Sequence, residues 1–273
     1  MQGRLLKKFR KQYQSHPVTE WQKEFFIANK NNINYIEFIF DNFKPELNPL
    51  ITKNGTKEII KLKKKYKIKI DTICADYFMD NPLHLNDKLD TDLNFKVLEI
   101  LIDNCKNYNC KNIILPCVDK SSLKKNKKSI NNLLLIFEKI EKKLNRNKVN
   151  LLLECDLEPN ALYKIIKRID SKNFGINYDT GNSASLGYNI KEEFNAYGKY
   201  IGEIHIKDRV LNGGPIILGK GNVNFNMLFD CIKKFNYNGL YIMQTYRDLL
   251  GKKIFFKQLK WFKSELKRYE KKL

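Results

Sequence analysis

Four consecutive strand-like segments, each ending in a side chain able to bind a metal ion, constrain the fold of this chain most. The segments are the apolar runs 149–154, 174–179, 201–206 and 239–244, and the side chains at or near their ends are Glu154, Asp179, His205 and Gln244. A segment long enough for a helix separates each run from the next. Strands and helices that alternate in this way form a parallel sheet, and catalytic residues of a β/α barrel lie where its strands end.

The same alternation covers the whole chain, which predicts an α/β protein with one (β/α)8 TIM-barrel domain over residues 1–273. A length of 273 residues suits this fold, which uses about 250. We expect residues 1–5 to be the end of a truncated first strand. The other predicted strands are 35–40, 68–75 and 112–118. The predicted helices are 19–31, opened by a capping box at Thr19, and 54–67, 91–108, 129–144, 159–169, 191–200, 225–235 and 253–271. The chain has no GxGxxG motif after a first strand, which argues against a dinucleotide-binding sheet.

The chain is strongly basic, with a formal net charge of +21. A nucleic-acid-binding surface should be clustered and rich in Arg, yet only seven of the 51 basic residues are Arg. We therefore attribute the excess charge to Lys residues on solvated helix faces and predict no nucleic-acid partner.

The cysteines and the apolar segments predict a cytoplasmic protein. The six cysteines form no CxxC pair and lie mostly in apolar runs, which is typical of buried thiols. No apolar run approaches the roughly 20 residues of a membrane span, and no apolar signal segment opens the chain. We expect no membrane partner.

Carboxylate, imidazole and amide ligands at the four strand ends suit Mn²⁺, Mg²⁺ or Co²⁺, and they also accept Zn²⁺. A divalent ion there can polarise a carbonyl and stabilise an enediolate oxyanion, as proton abstraction next to a carbonyl requires. The alternative is that each residue merely ends a strand. That explanation would suffice for Gln244 alone, but four such strands in succession favour a site.

Six motifs distributed over nearly the whole chain carry a family resemblance. They are MQGRL at 1–5, ICADYF at 73–78, LLE at 152–154, NYDTGN at 177–182, HIKDR at 205–209 and LGKGNVNF at 218–225. In these motifs the chain resembles the sugar phosphate isomerase/epimerase family of xylose isomerase-like TIM barrels, which also includes the family-2 AP endonucleases. The resemblance implies that Glu154, Asp179 and His205 are metal ligands.

Two departures from the family bear on the reaction. Many members carry glutamate where this chain has Gln244, and many carry His where it has Asn182. The resemblance implies that 3-epimerases use two metal-bound glutamates as bases on opposite substrate faces. Because a Gln amide can bind a metal but cannot accept a proton, Glu154 is the one obvious carboxylate base. We therefore expect single-base isomerisation or elimination rather than two-base epimerisation.

The remaining candidate residues follow the strands. Lys207 and Asp208, beside His205, are candidates for an acid–base relay or for binding substrate hydroxyls. Further candidates for binding substrate hydroxyls are Asp76 and Asn182, and those for binding a substrate phosphate are Arg209, Lys220 and Arg247. Of the other histidines, His16 and His84 lie in loop-like sequence, where a structural role is the simpler interpretation.

Several functions compete. The preferred one is a metal-dependent sugar or sugar-phosphate isomerase or epimerase, and an inosose-type dehydratase is the nearest enzymatic alternative. A non-catalytic sugar-binding barrel is a further alternative because of Gln244. An AP endonuclease is disfavoured, since the resemblance implies a cluster of several histidines and the chain has three His in total. The sequence leaves open whether the chain forms a homo-oligomer.

Overall fold

Helices alternate with parallel strands along the chain. The computed structural model describes residues 1–85, 93–125 and 128–271. Their contacts divide the chain into two compact units. The first unit comprises Met1–Leu157 and Lys164–Gly175, and the second comprises Glu158–Tyr163 and Ile176–Leu273.

The strands of the first unit are parallel and pair in chain order, β1 with β2, β2 with β3 and β3 with β4. These strands are β1 (Phe38–Ile39), β2 (Thr72–Cys74), β3 (Asn112–Cys117) and β4 (Asn150–Cys155). The helices of this unit are α1 (Gln22–Lys30), α2 (Lys53–Tyr66), α3 (Tyr77–Asp80), α4 (Leu93–Tyr108) and α5 (Ser129–Asn147). The strands are continuous apolar runs, as expected where both faces of a parallel sheet are covered. Cys74, Ile114 and Leu152 form a buried cluster across three of them.

Two elements cross the boundary between the units. Helix α6 (Pro159–Ile169) begins in the second unit and ends in the first, whereas strand β5 (Phe174–Asp179) begins in the first and ends in the second. In the second unit, β5 pairs in parallel with β6 (Ile201–Ile206), which pairs with β9 (Leu240–Met243). A separate antiparallel pair consists of β7 (Asp208–Arg209) and β8 (Pro215–Ile216). The helices are α7 (Thr180–Leu186), α8 (Ile190–Tyr197), α9 (Phe225–Lys234) and α10 (Lys252–Lys271).

The predicted capping box at Thr19 is wrong. Helix α1 begins at Gln22, and the residue before it, Trp21, makes no side-chain capping bond. Glu20 has a φ of 66°, so the backbone turns left-handed where the predicted helix would already have begun. The side chain of Glu20 instead pairs with Lys23 on the first helical turn.

The amino-terminal strands are shorter than predicted. Residues 1–5 form no strand, although the Met1 amine donates to the Tyr35 carbonyl at 2.8 Å and the Met1 carbonyl accepts from the Glu37 amide at 2.9 Å. The predicted strands 35–40 and 68–75 contract to β1 and β2, and the first two residues of the predicted helix 91–108 lie outside the described residues. Helix α7 and the β7–β8 pair are absent from the sequence prediction.

The expectation of buried thiols is confirmed: all six cysteines are free, five are buried, and Cys155 is partly exposed. Among the described residues, no helix combines the length and the apolar character needed to cross a membrane.

A buried polar network joins β5, α7 and α8 in the second unit. The carboxylate of Glu193 is 2% exposed and accepts hydrogen bonds from the hydroxyls of Tyr178 at 2.8 Å and Tyr197 at 2.9 Å, and from that of Ser183. Burial raises the pKa of Glu193 above 4.5, and the three hydroxyl donors oppose this shift. The network holds α7 in place directly after Asp179.

This raised pKa makes a prediction for the pH dependence of stability. The folded protein holds the Glu193 proton more tightly than the unfolded chain does, so its contribution is complete below pH 4.5 and is lost as pH rises through the folded pKa. Glu193→Gln removes this dependence. We expect the unfolding free energy of the wild type, measured by urea denaturation, to decline relative to the variant as the pH rises above 4.5. The exposed Glu192→Gln control should track the wild type, and a constant difference for Glu193→Gln would contradict the prediction.

Candidate active site

Glu154, in the first unit, is the penultimate residue of β4 and is 7% exposed. Three carboxylates of this unit, Glu154, Glu37 and Asp76, lie near the thiol of Cys74. Burial raises the pKa of Cys74 well above 9, and the three negative charges add to the shift. The Cys74 thiol donates to Asp76 Oδ1 at 3.1 Å. Glu154 and two further carboxylates, those of Glu37 and Asp76, therefore surround the same thiol.

Asp179 is both the last residue of β5 and the N-cap of α7. Its Oδ1 accepts the backbone N–H groups of Gly181 at 2.8 Å and Asn182 at 2.9 Å. Its Oδ2 is buried and has no hydrogen-bond partner among the residues that the structure describes. One carboxylate oxygen thus fixes the start of α7, and the other makes no hydrogen bond to the described residues.

His205 lies beside Asp179, because the two residues are register partners on the parallel strands β5 and β6. A carboxylate oxygen of Asp179 and a ring nitrogen of His205 lie within 4.8 Å of each other. The ring is fully buried, with its Nδ1 3.1 Å from Asn177 Nδ2 and its Nε2 3.9 Å from a Glu203 oxygen. His205 is therefore held between two polar side chains of the strands that carry the site.

Lys207 and Gln244 meet next to Asp179. The ammonium of Lys207 donates to Gln244 Oε1 at 3.1 Å and lies 3.6 Å from Asp179 Oδ2. Gln244 directly follows β9 and is placed by its own backbone N–H, which donates to the Ile206 carbonyl at 3.1 Å. The structure thus brings together four predicted site residues of the second unit, Asp179, His205, Lys207 and Gln244.

Thr180 and Gly181 fix the path of Lys207. The Thr180 hydroxyl lies 3.0 Å from the Lys207 backbone nitrogen, 2.6 Å from the Lys207 carbonyl oxygen and 3.1 Å from the His205 carbonyl oxygen. A Cβ atom on Gly181 would come within 2.7 Å of Lys207 Cγ. In the Asp-Thr-Gly sequence, Asp179 caps helix α7, Thr180 hydrogen-bonds the backbone of Lys207, and Gly181 leaves space for the Lys207 side chain.

We expect Thr180→Val to lower the free energy of unfolding by about 1–3 kcal/mol, because the partly buried Lys207 N–H then loses its acceptor. Urea denaturation measures the change. Thr245→Val is the matched control: its hydroxyl is also buried, but it has no hydrogen-bond partner among the described residues. That control should be neutral or slightly stabilising. Equal losses for the two variants would contradict the assigned role of Thr180.

The donor set of the second unit fits a divalent ion. Asp179 offers a buried oxygen that lacks a hydrogen bond, and His205 offers a ring nitrogen close to that carboxylate. An anionic oxygen and an imidazole nitrogen are ligands that Mn²⁺, Co²⁺ and Zn²⁺ accept. The amide oxygen of Gln244 could add a neutral ligand, although it already accepts a hydrogen bond from Lys207.

The predicted substrate-binding residues fall into different surroundings. Arg209 donates to Asn182 Oδ1 at 2.9 Å and to the Gly213 carbonyl at 2.9 Å, so these two candidates form a pair. Arg247 is buried, with its guanidinium 4.7 Å from the ring centre of Phe255. Lys220 is exposed on its loop. Asp76 is partly exposed at the start of α3 in the first unit.

Asp208 holds a loop together through its carboxylate. Its carboxylate is fully buried and accepts the backbone N–H groups of Gly219 at 2.9 Å, Gly221 at 3.0 Å and Val223 at 3.1 Å. Burial raises the pKa of Asp208, and these backbone donors oppose the shift. The oxygen atoms of Asp208 accept hydrogen bonds from the backbone of the loop 219–223. This arrangement does not favour the predicted contact of Asp208 with a substrate.

Two polar residues next to the site were missed from the sequence. Asn177 and Glu203 each lie two positions before a predicted ligand, Asp179 and His205 respectively, and alternate residues of a strand share one face. This spacing of two residues was the sequence signal that could have identified Asn177 and Glu203 as neighbours of the site. The buried faces of β5 and β6 thus carry two polar residues each, where a structural core would carry apolar ones.

Comparisons with known proteins agree on the fold. The model of a family described as xylose isomerase-like TIM barrel matches residues 25–265. The uncharacterized protein MJ1311 of Methanocaldococcus jannaschii is 30% identical over 107 residues, which are 37% of this chain and 36% of that protein. The match thus spans about a third of this relative.

Solved structures extend the likeness to nearly the whole chain. A D-tagatose 3-epimerase-like protein superposes with a TM-score of 0.75 at 17% identity, covering 93% of this chain and 96% of that one. The IolI protein with a bound zinc atom superposes with a TM-score of 0.74 at 16% identity, covering 92% and 94%. At these identities the likeness is one of fold.

Proposed function

Because the chain belongs to the xylose isomerase-like TIM barrel family, we propose that it is a divalent-metal-dependent sugar or sugar-phosphate isomerase or epimerase. Family membership confirms the predicted TIM-barrel fold class. In the proposal Glu154, Asp179, His205 and Gln244 bind the ion, which is Mn²⁺, Mg²⁺, Co²⁺ or Zn²⁺. The observation that carries the proposal is the buried Asp179 oxygen, which lacks a hydrogen bond and lies beside His205.

In the proposed reaction, Glu154 acts as the base and Lys207 as a proton donor. When bound, a divalent ion would polarise the substrate carbonyl and so acidify the neighbouring C–H bond. Glu154 removes that proton as general base and returns it to the adjacent carbon, while the proton of the neighbouring hydroxyl passes to the former carbonyl oxygen. Together these two transfers convert an aldose into a ketose or the reverse. Lys207 supplies a positive charge and a proton donor next to the Asp179 carboxylate. These side chains are nearly shielded from water, which strengthens their electrostatic effect on the reacting atoms.

Gln244 limits the reaction to one base. Its amide oxygen already accepts a hydrogen bond from Lys207, and an amide cannot take up a proton at neutral pH. Two-base epimerisation needs a second proton acceptor on the opposite face of the substrate. Isomerisation through a single base is therefore the preferred reaction within the proposed class.

The substrate is proposed to be a small sugar or sugar phosphate, with no nucleic-acid partner. The pair of Asn182 and Arg209 offers hydrogen bonds to substrate hydroxyls. Asp76 is a further candidate for that role, and Arg247 and Lys220 are candidates for binding a phosphate. Asp208 acts on the loop that carries Lys220 rather than on the substrate, because its acceptor atoms are engaged by backbone amides.

Solvent deuterium exchange tests the proposal. Purified protein loaded with Mn²⁺ or Co²⁺ is incubated in D₂O with a panel of aldoses, ketoses and their phosphates. We expect metal-dependent incorporation of deuterium at the carbon next to the carbonyl, lost after chelation and restored by adding metal. The labelled carbon separates an isomerase from an epimerase. Bound metal without exchange into any sugar would contradict the proposed isomerase and favour a sugar-binding barrel.

An inosose-type dehydratase is the second candidate, and Lys207 favours it. Elimination of water needs a base to remove a proton and an acid to protonate the departing hydroxide. Glu154 could act as the base, and the Lys207 ammonium, 3.6 Å from Asp179 Oδ2, is a ready acid. Irreversible loss of water from a polyol ketone, followed by mass spectrometry in the same incubations, would identify this reaction.

A further inference from the structure

The Lys207 ammonium lies against two oxygen atoms that a metal ion would need. Its ammonium donates to Gln244 Oε1 at 3.1 Å and lies 3.6 Å from Asp179 Oδ2. Both oxygens belong to the ligand set in the proposed function, on which this inference rests. An ammonium and a divalent cation repel each other at such distances, and both need the same lone pairs.

Contacts with Thr180 and Gly181 fix the position of Lys207. Thr180 holds the backbone of Lys207 through both its amide and its carbonyl group. The side chain then passes over Gly181, where a Cβ atom would come within 2.7 Å of Lys207 Cγ. The side chain is only 15% exposed, so its charge is poorly screened by water. These contacts direct the amine towards Asp179 and Gln244 rather than to the solvent.

Gln244 makes the contact reversible. A glutamate at this position would form an ion pair with the Lys207 ammonium, whereas the glutamine amide offers a neutral acceptor. The hydrogen bond to a neutral oxygen is the weaker of the two, so a cation of sufficient affinity can displace the amine. The glutamine therefore favours exchange between the internal ammonium and an external ion.

We propose that Lys207 is an internal competitor of the metal, which excludes Mg²⁺ and admits the tighter-binding Mn²⁺, Co²⁺ or Zn²⁺. Displacement of the ammonium imposes a similar cost on every divalent ion. Divalent transition metals bind N/O ligand sets more tightly than Mg²⁺, which also gives up its water shell reluctantly. The same displacement frees the Lys207 amine for contact with a substrate.

Isothermal titration with the metals alone tests the proposal on the full chain. We expect the wild type to bind Mn²⁺ and Co²⁺ but to show no binding of Mg²⁺. Lys207→Met should bind Mn²⁺ about ten- to hundredfold more tightly and gain measurable Mg²⁺ binding. Lys207→Arg, which keeps the charge, should retain the exclusion of Mg²⁺. Lys199→Met removes an exposed lysine of the same unit and should leave all affinities unchanged.

A second measurement follows the Lys207 amine in the wild type. Reductive methylation with ¹³C-formaldehyde labels the lysine amines for NMR, and diamagnetic Zn²⁺ should shift the Lys207 resonance as the amine leaves Gln244. Lys207→Arg identifies that resonance. Equal affinities of wild type and Lys207→Met, Mg²⁺ binding by the wild type, or an unmoved Lys207 signal at saturating Zn²⁺ would each overturn the proposal. If neither protein binds any metal, the proposed metal-dependent function itself fails.

Discussion

Replacing Glu154 with glutamine is expected to lower the rate of metal-dependent deuterium exchange into the substrate by about 10²–10⁴-fold, the usual contribution of a general base. Glutamine keeps the shape of the side chain and an oxygen for the metal, but it cannot accept the proton. Glu154 is 7% exposed at the end of β4, where few water molecules can replace it as base. The exchange rate is read by mass spectrometry of the sugar at saturating Mn²⁺.

Two measurements accompany this variant. Titration with Mn²⁺ establishes that the metal site is occupied, so that a lost rate reflects the missing base and not a missing ion. Glu158→Gln, an exposed glutamate shortly after the same strand, is the matched control and should keep the full rate. If Glu154→Gln exchanges deuterium at the wild-type rate, Glu154 is not the base. Another group, with Lys207 the first candidate, would then have to remove the proton.

Strands β5 and β6 could be predicted from the sequence to the residue, whereas β1 and β2 could not. Apolar runs bounded by turn residues predicted 174–179 and 201–206, as the structure has them. The predicted runs 35–40 and 68–75 are mostly buried, including Ile36 and Ile70, yet outside β1 and β2 they pair with each other only through an isolated bridge between Tyr35 and Lys69. Hydrophobic patterning reports burial, but a strand also needs a neighbouring backbone at the correct distance, and the sequence pattern does not encode that distance.

The candidate site also contains features that could be predicted from the sequence and features that could not. Ligand types at strand ends were predictable because adjacent parallel strands bring their ends together, as Asp179 and His205 illustrate. The contact of Lys207 with Gln244 joins residues 37 positions apart and depends on the route of the chain after β6. Helix α7 was missed because Thr180–Leu186 is small and polar and has no apolar period. Its start depends on the Asp179 side chain, which was assigned to a metal alone.

Asp208 shows how a motif can contain structural and functional residues side by side. It follows His205 and Lys207 in one short run, and the sequence pattern cannot separate their roles. The structure separates them through burial and hydrogen bonding: the Asp208 carboxylate serves three backbone amides of the loop 219–223. Gly221 is required there because a Cβ atom would come within 2.2 Å of Asp208 Oδ1. Gly221 therefore reflects this packing, while Gly219 has a φ of 77° and lies where a Cβ atom would come within 2.7 Å of the Trp261 side chain. The two glycines around Lys220 thus give no independent support for a phosphate site.

Asp208→Ala is expected to lower the free energy of unfolding by about 3–5 kcal/mol, because it removes a charged acceptor from three amides at once. Val223 N–H is buried, so water has little access to replace the lost oxygen. Urea denaturation measures the loss, and hydrogen exchange of the Gly219, Gly221 and Val223 amides locates it. In the Asp208→Ala variant, these three amides should exchange with solvent faster than the amides of β5. The β5 amides are held by the parallel sheet and not by Asp208.

The matched control is Asp230→Ala, which removes an exposed carboxylate of the same unit and should change the stability by no more than about 0.5 kcal/mol. Asp208→Asn separates charge from shape, because it keeps one acceptor oxygen and should lose less stability than the alanine variant. If Asp208→Ala instead retains wild-type stability and amide protection but loses substrate affinity, Asp208 contacts the substrate directly. The loop 219–223 would then be held by other contacts, and the substrate site would include the carboxylate that the structure places among backbone amides.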